Sequence, residues 1–430
     1  MDAAINKTTC FIKYPRCIRF ATALLLSASS LFSLAAQPVK IGLIHPTTGR
    51  YAEQGYHQAQ GAMLAIEEIN AAGGILGRPV TLLTDNSAAD PKRSVRHVRK
   101  QARQGASMIM GGATSSVAIA AGKEAAKHDV MFMGTLTYAN ATTGVEAHQH
   151  MFRETYNGWM TAKALSKYLN RHFPGKKIFY VTADYNWGHS TEAGLRSMTR
   201  TTDDRVHGRA YVPFPKPKHS AMKAALDEAA ASDAEVLVII QFAQDMATAL
   251  NLATQMGLKD RMQVVVTNLT QGMAKMAGAG AMEGVVGAVP WCWQVPYEYD
   301  FPRGQRFVES YLKHYDQYPT SPAASTYSAV YQFKSAAERA GSLATNTLIK
   351  ALENHSYTDL KDRQTWRAFD HQNVQSVYIV KGKERDAVMM NPHRFDFFDL
   401  VMSLPGEEAV RSHKEWAAAR TRANRSLALE

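Results

Sequence analysis

Cysteine is scarce in this chain. Three occur in 430 residues, and Cys10 and Cys17 stand ahead of residue 20, which leaves Cys292 alone in the remainder. A single thiol excludes an internal disulfide framework, so apolar cores have to hold the fold. Long apolar runs are equally scarce: beyond residue 36 none reaches the ~20 residues that a membrane-spanning helix requires. The cationic excess, formally +11, is not gathered into a patch. Its densest cluster, KRSVRHVRK (92–100), spreads its charges around a helix with no interleaved aromatics. That pattern describes a solvated helix face and argues against nucleic acid as a partner.

The motifs of several enzyme classes are missing too. A phosphate-cradling loop needs Gly-Lys followed by Ser or Thr, with a glycine five positions earlier, but Gly122-Lys123 is followed by Glu124 and preceded at that distance by Val117. GAGAMEG (278–284) is one residue off a dinucleotide fingerprint and does not join a strand to a helix. Neither Ser115 nor Ser116 is flanked by the glycines of a nucleophile elbow, which argues against an exported hydrolase. The 15 histidines are dispersed, and His148 and His150 have no Cys or Asp close by in sequence, so no metal site is expected. No cofactor and no catalysis are expected.

What is present begins with Lys7, Lys13, Arg16 and Arg19, followed by the uncharged run FATALLLSASSLFSLAA (20–36). This is the charged and apolar pattern of a secretory signal, and small residues at Ser33 and Ala35 suit cleavage after Ala35. Residues 1–35 are therefore expected to be a signal peptide and the protein to be periplasmic. Cleavage would remove four cations and one anion and lower the formal charge from +11 to +8.

The rest alternates strand and helix. VKIGLIHP (39–46), RPVTLLTDN (78–86), SMIMGG (107–112) and VMFMGT (130–135) read as strands separated by helices; Asp90-Pro91 opens one of these as an acidic cap with proline in the first turn. KKIFYVTAD (176–184), AEVLVIIQF (234–242) and MQVVVTN (262–268) continue the rhythm. Such alternation predicts an α/β protein with parallel sheets and right-handed crossovers, here two doubly wound lobes. SVYIVKGK (376–383) is expected to return to one sheet, and the polar tail 403–430 to form a surface helix that frays.

Open α/β sheets bind ligands outside the carboxyl ends of their strands. In GGATSSVA (111–118), Ser115 and Ser116 follow a strand at a helix start, where free amides favour an anion, although Thr114 or Ser115 could simply cap that helix. GTLTYAN (134–140) offers the Thr137 hydroxyl at the next strand end. ADYNWG (183–188) places Asp184, Tyr185 and Trp187 at another, Phe242 ends AEVLVIIQF, and TNLT (267–270) ends a further one. The aromatics could cover a ligand or fill a seam between helix and sheet.

In order, IGLIHPTTGRYAEQG (41–55), AMLAIEEINAAGGILGRPV (62–80), the spacing in DNSAADPKRS (85–94), IMGGATSSVA (109–118), VTADYNWG (181–188) and TNLTQG (267–272) resemble the type I periplasmic solute-binding proteins of ABC importers, in the branch with the leucine/isoleucine/valine-binding proteins. The likeness runs over roughly 39–400. It implies two Rossmann-like lobes joined by a three-segment hinge, with 37–155 plus 290–373 in the first lobe and 156–289 plus 374–402 in the second. It implies a small-molecule ligand held in the cleft by Ser115 with Ser116 beside it, by Leu136, Thr137 and Tyr138, and covered by Trp187 and Phe242. A monomer that meets a membrane permease is implied, or alternatively one that meets a membrane receptor or histidine kinase. In the amino-acid binders a carboxylate near TNLT pairs with the ligand amine, whereas this chain has Asn268. Either Asp184 or Glu154 reaches the amine, or the ligand has none and is an amide, a urea-like compound, a keto acid or an aromatic carboxylate. Tyr51, Trp187, Phe242, Trp291 and Trp293 leave room for a flat ligand.

Overall fold

The computed structural model describes residues 37–393 and 395–430. The segment read as a signal peptide lies outside the described residues. Ten strands in chain order carry the two main sheets as far as residue 289: β1 (Val39–His45), β2 (Val80–Asn86), β3 (Ala106–Gly111), β4 (Met131–Gly134), β5 (Met151–Arg153), β6 (Ile178–Asp184), β7 (Arg209–Pro213), β8 (Val236–Ile240), β9 (Gln263–Val266) and β10 (Val286–Val289). Three short strands follow, β11 (Ser356–Tyr357), β12 (Gln364–Trp366) and β13 (Asn373–Val374), then β14 (Val377–Gly382) and β15 (Phe398–Leu404).

The first sheet, β2-β1-β3-β4-β5, is parallel throughout. Its strands other than the edge strand β2 are largely apolar on both faces, as a sheet covered on both sides requires. The alternation is visible residue by residue. Leu43, Met108 and Met110 belong to the large core cluster, while Ile44, Ile109 and Phe132 belong to a smaller one that also takes Val98 and Ala118 from the helices Pro91–Arg103 and Ser115–Ala126. Asp90 caps the first of these helices as its sequence predicts, accepting from the Arg93 amide at 2.6 Å with Pro91 in the first turn. On the opposite face lies the helix Ala52–Ala71. The helix Ser321–Ala340 packs so closely on it that a Cβ at Gly61 would stand 2.1 Å from the Ala323 carbonyl oxygen. Tyr311 donates to Gln60 at 2.6 Å, and Tyr327 and Tyr331 both donate to Glu68.

The second sheet has the order β15-β14-β10-β9-β8-β6-β7. β7, β6, β8, β9 and β10 are parallel, but β14 and β15 run antiparallel, so this sheet is mixed instead of parallel. β14 is the returning strand expected at 376–383. β7, β10 and β15 are not anticipated from sequence, for identifiable reasons. β7 and β15 are sheet edges with exposed positions, and β10 is four residues long with a glycine inside it.

The chain passes between the sheets three times: after β5, after β10 and just before β14. The tail departs from a fraying surface helix. Ser412 and Glu415 form a reciprocal capping box at the start of the helix His413–Arg422. Trp416 is fully buried and donates to the Thr143 carbonyl at 3.0 Å, and Arg420 donates to the carbonyls of Gly144 and Ala147. A polar composition hid two side chains that pin the helix down.

Candidate functional site

β3 ends in Gly111 and is followed by Gly112, with φ of 132° and 101°. A Cβ on Gly111 would meet the Ile44 carbonyl oxygen at 2.1 Å, so only glycine allows this turn. The turn delivers Thr114 as the cap of the following helix, its Oγ1 accepting from the Val117 amide at 3.3 Å. Thr114 therefore caps, and Ser115 is free to face inward. Ser115 is 4% exposed and lines a nearly filled cavity of about 10 Å³, room for about one water, between the two sheets' strand ends.

The same cavity takes Leu136, Thr137 and Tyr138 from the loop after β4, and Tyr185, Trp187 and Phe242 from the loops after β6 and β8. Thr137 Oγ1 is paired with Thr142 Oγ1 at 3.0 Å. The aromatic rings form a connected wall. Trp187 meets Phe242 edge-on at 6.3 Å, Tyr138 meets Phe242 edge-on at 5.7 Å, and Tyr185 stacks on Phe214 at 3.9 Å. Burial pushes the Tyr138 and Tyr185 hydroxyls up from their ordinary range, so both are neutral donors. Phe242 is followed by Ala243 at φ 51°, ψ −127°, backbone strain of the kind that needs rigid surroundings and that collects at binding sites.

Of the ten sequence-derived site residues, six line this cavity: Ser115, Leu136, Thr137, Tyr138, Trp187 and Phe242. Four do not. Tyr51 and Ser116 line an outer opening of about 560 Å³ at the mouth of the cleft, where Tyr51 stacks on Phe242 at 6.0 Å. Burial raises the Tyr51 hydroxyl to about 12. Asp184 is half-exposed and bound to His189 at 2.8 Å, because the strand turns it outward before Tyr185 turns in. Asn268 sits one layer back, its Oδ1 accepting from the Tyr156 hydroxyl, which packs behind Tyr138 at 5.5 Å. Glu154, the other carboxylate considered, is buried and accepts from Ser325. Among the described residues no carboxylate lines the cavity.

Sequence reading placed Tyr185 at the same strand end as Trp187 but assigned the covering role only to Trp187 and Phe242, whereas Tyr185 also lines the cavity. It also missed the contacts that close the cleft. Arg50, in the loop after β1, pairs with Asp245 in the first turn of the helix Gln244–Gln255. Thr270 donates to Gln54 at 3.4 Å, and the Glu53 carboxylate lies against Gly272. These residues are far apart in the chain, and only a set of residue types compatible with pairing could have hinted at them.

With this geometry established, a family model described as periplasmic binding protein matches residues 38–387. The chain is 21% identical over 398 residues to Leu/Ile/Val-binding protein homolog 4 of Brucella melitensis, covering 90% of this chain and 93% of that protein. The crystal structure of an amino acid ABC transporter substrate-binding protein from Pseudomonas fluorescens superposes with a TM-score of 0.79 at 25% identity, covering 90% of this chain and 99% of that one. A solute-binding protein of an ABC transporter from Rhodopseudomonas palustris, in complex with 3,4-dihydroxy benzoic acid, superposes at 0.74 with 17% identity, covering 88% of this chain and 99% of that one.

Proposed function

The chain belongs to the periplasmic binding protein family, in its branched-chain amino acid-binding branch, and from that premise we propose that it is an exported monomer that captures a flat, carboxylate-bearing, amine-free solute in its cleft and delivers it to the permease of an ABC importer. The family consists of non-enzymatic solute-binding subunits of ABC transporters. The signal pattern of residues 1–35 supports export.

One observation carries the ligand class: the cavity offers hydroxyls and aromatic rings and no carboxylate. A buried ammonium left without a counter-charge is costly, so an α-amino acid fits poorly. A carboxylate, by contrast, suits Ser115 and the start of its helix, and a planar body suits Trp187 and Phe242. The Rhodopseudomonas palustris neighbour was solved with an aromatic acid, which agrees with this reading. The lobes 37–155 plus 290–373 and 156–289 plus 374–402 act as the moving bodies, and the Arg50–Asp245 pair bridges them when shut.

A thermal-shift and calorimetric screen of residues 37–430 against benzoates, keto acids, amides, ureas, leucine and valine tests this. A cleft ligand at a hundred times its Kd adds about 2.7 kcal/mol of stability. The expected outcome is a large shift with an aromatic or keto acid and none with leucine or valine. Tight leucine binding overturns the ligand class.

A further inference from the structure

Behind the cleft lies a second, small cavity of about 20 Å³, where the three passages between the lobes converge. Glu154 and Lys361 both line it and both are buried. Neither belongs to the ligand cavity, and a buried carboxylate and a buried ammonium away from the ligand call for a reason. Lys361 Nζ donates to the carbonyl of Pro290, in the second passage, at 2.7 Å and to Gln375 Oε1, in the third. The Gln375 amide donates in turn to the backbone carbonyl of Glu154, in the first passage. One ammonium and one amide therefore connect all three connections. Gln372 strengthens the same arrangement, donating to the Thr155 carbonyl at 2.9 Å and accepting from Arg153 at 2.7 Å.

The Glu154 carboxylate lines the same cavity and accepts from Ser325, so it faces the ammonium's surroundings without forming an ion pair with it. Burial pushes the Glu154 carboxyl up and the Lys361 ammonium down, and each opposes the other's shift. Asp359, Asp362, Tyr138 and Tyr357 are the other titratable groups acting on the pair.

We propose that Lys361 is a positioning residue for lobe closure: with Glu154 as the opposite charge buried near it, it ties the three inter-lobe passages together in the shut form, so that the pair sets the balance between shut and open protein before any ligand arrives. Opening twists the three connections against one another, and a tie that spans all of them resists that twist. The inference rests on the two-lobe reading but not on the identity of the solute.

The test needs no ligand. Nitroxide labels on Lys92→Cys and Glu228→Cys, exposed on helices of the first and second lobes, report the inter-lobe distance by pulsed electron resonance in the unliganded protein. Cys292 is buried and stays unlabelled. K361M and E154Q should each raise the ratio of long to short distances by about fivefold, while the pair combined changes it no more than K361M alone, because the two residues act as one unit. E154Q is isosteric and decides the matter should K361M fail to fold. Unchanged distance distributions in E154Q overturn the proposal, as do single effects that multiply fully in the double variant. A failed ligand screen with a shifted distance distribution would overturn the solute class and leave the hinge assignment standing.

Discussion

The two walls of the cleft are made of different chemistry. The first-lobe wall presents mainly hydroxyls at the ends of β3 and β4, Thr114 used as a cap, Ser115 turned inward and Thr137 held by Thr142, with Leu136 and the Tyr138 ring beside them. The second-lobe wall presents rings at the ends of β6 and β8: Tyr185, Trp187 and Phe242. The contrast teaches a division of labour. In the proposed capture, directional groups on one lobe orient a ligand while the cleft is open, and the rings on the other add area only when it shuts. Hydrogen bonds of this kind contribute modestly in net terms, whereas excluding water from large rings dominates affinity.

The sharpest way to break this comparison is Trp187→Ala. Loss of the covering ring should weaken binding of the screened solute about a hundredfold, consistent with ~2–3 kcal/mol for a central aromatic anchor, with Trp187→Phe recovering most of it. Titration calorimetry measures both. Ser115→Ala should cost about tenfold, from ~1.5 kcal/mol for a charge-assisted hydrogen bond, and the loss should be greater for a carboxylate than for the corresponding amide. If the two substitutions cost the same for both ligands, the walls do not divide their tasks. Arg50→Ala removes a bridge whose cation is partly exposed, so affinity should fall only about two- to fivefold, an effect weakened by salt. The smallest change is expected for Asp184→Asn, which should leave affinity within about twofold because that side chain faces His189 and solvent. A tenfold loss there would return Asp184 to the site.

Much of the cleft was legible because it depends on local rules. The glycine pair before Thr114 and the aromatic pair in ADYNWG are short-range signals, and strand ends in an open α/β sheet face the ligand. What misled was direction over single residues. Asp184 and Tyr185 are adjacent, yet one faces solvent and the other the cavity, because side chains alternate at a strand end. Asn268 reads as a contact by position, and in the structure it lies outside the cavity lining with its Oδ1 accepting from Tyr156. The tail helix is polar in composition, and Trp416 with Arg420 nevertheless ties it to the carbonyls of 143–147.

The order of the elements, the α/β class and the placement of the hydroxyl and aromatic turns follow from periodicity and turn chemistry, which act over a few residues and so survive in a linear reading. The antiparallel strands β14 and β15, the Arg50–Asp245 bridge and the Lys361 tie join residues separated by up to 195 positions, and such pairings exist only once loop closure brings the partners together. The missing carboxylate belongs to the same class of fact. Sequence shows two acids near the cleft, Asp184 and Glu154, and only the packed chain turns one to water and buries the other against Ser325.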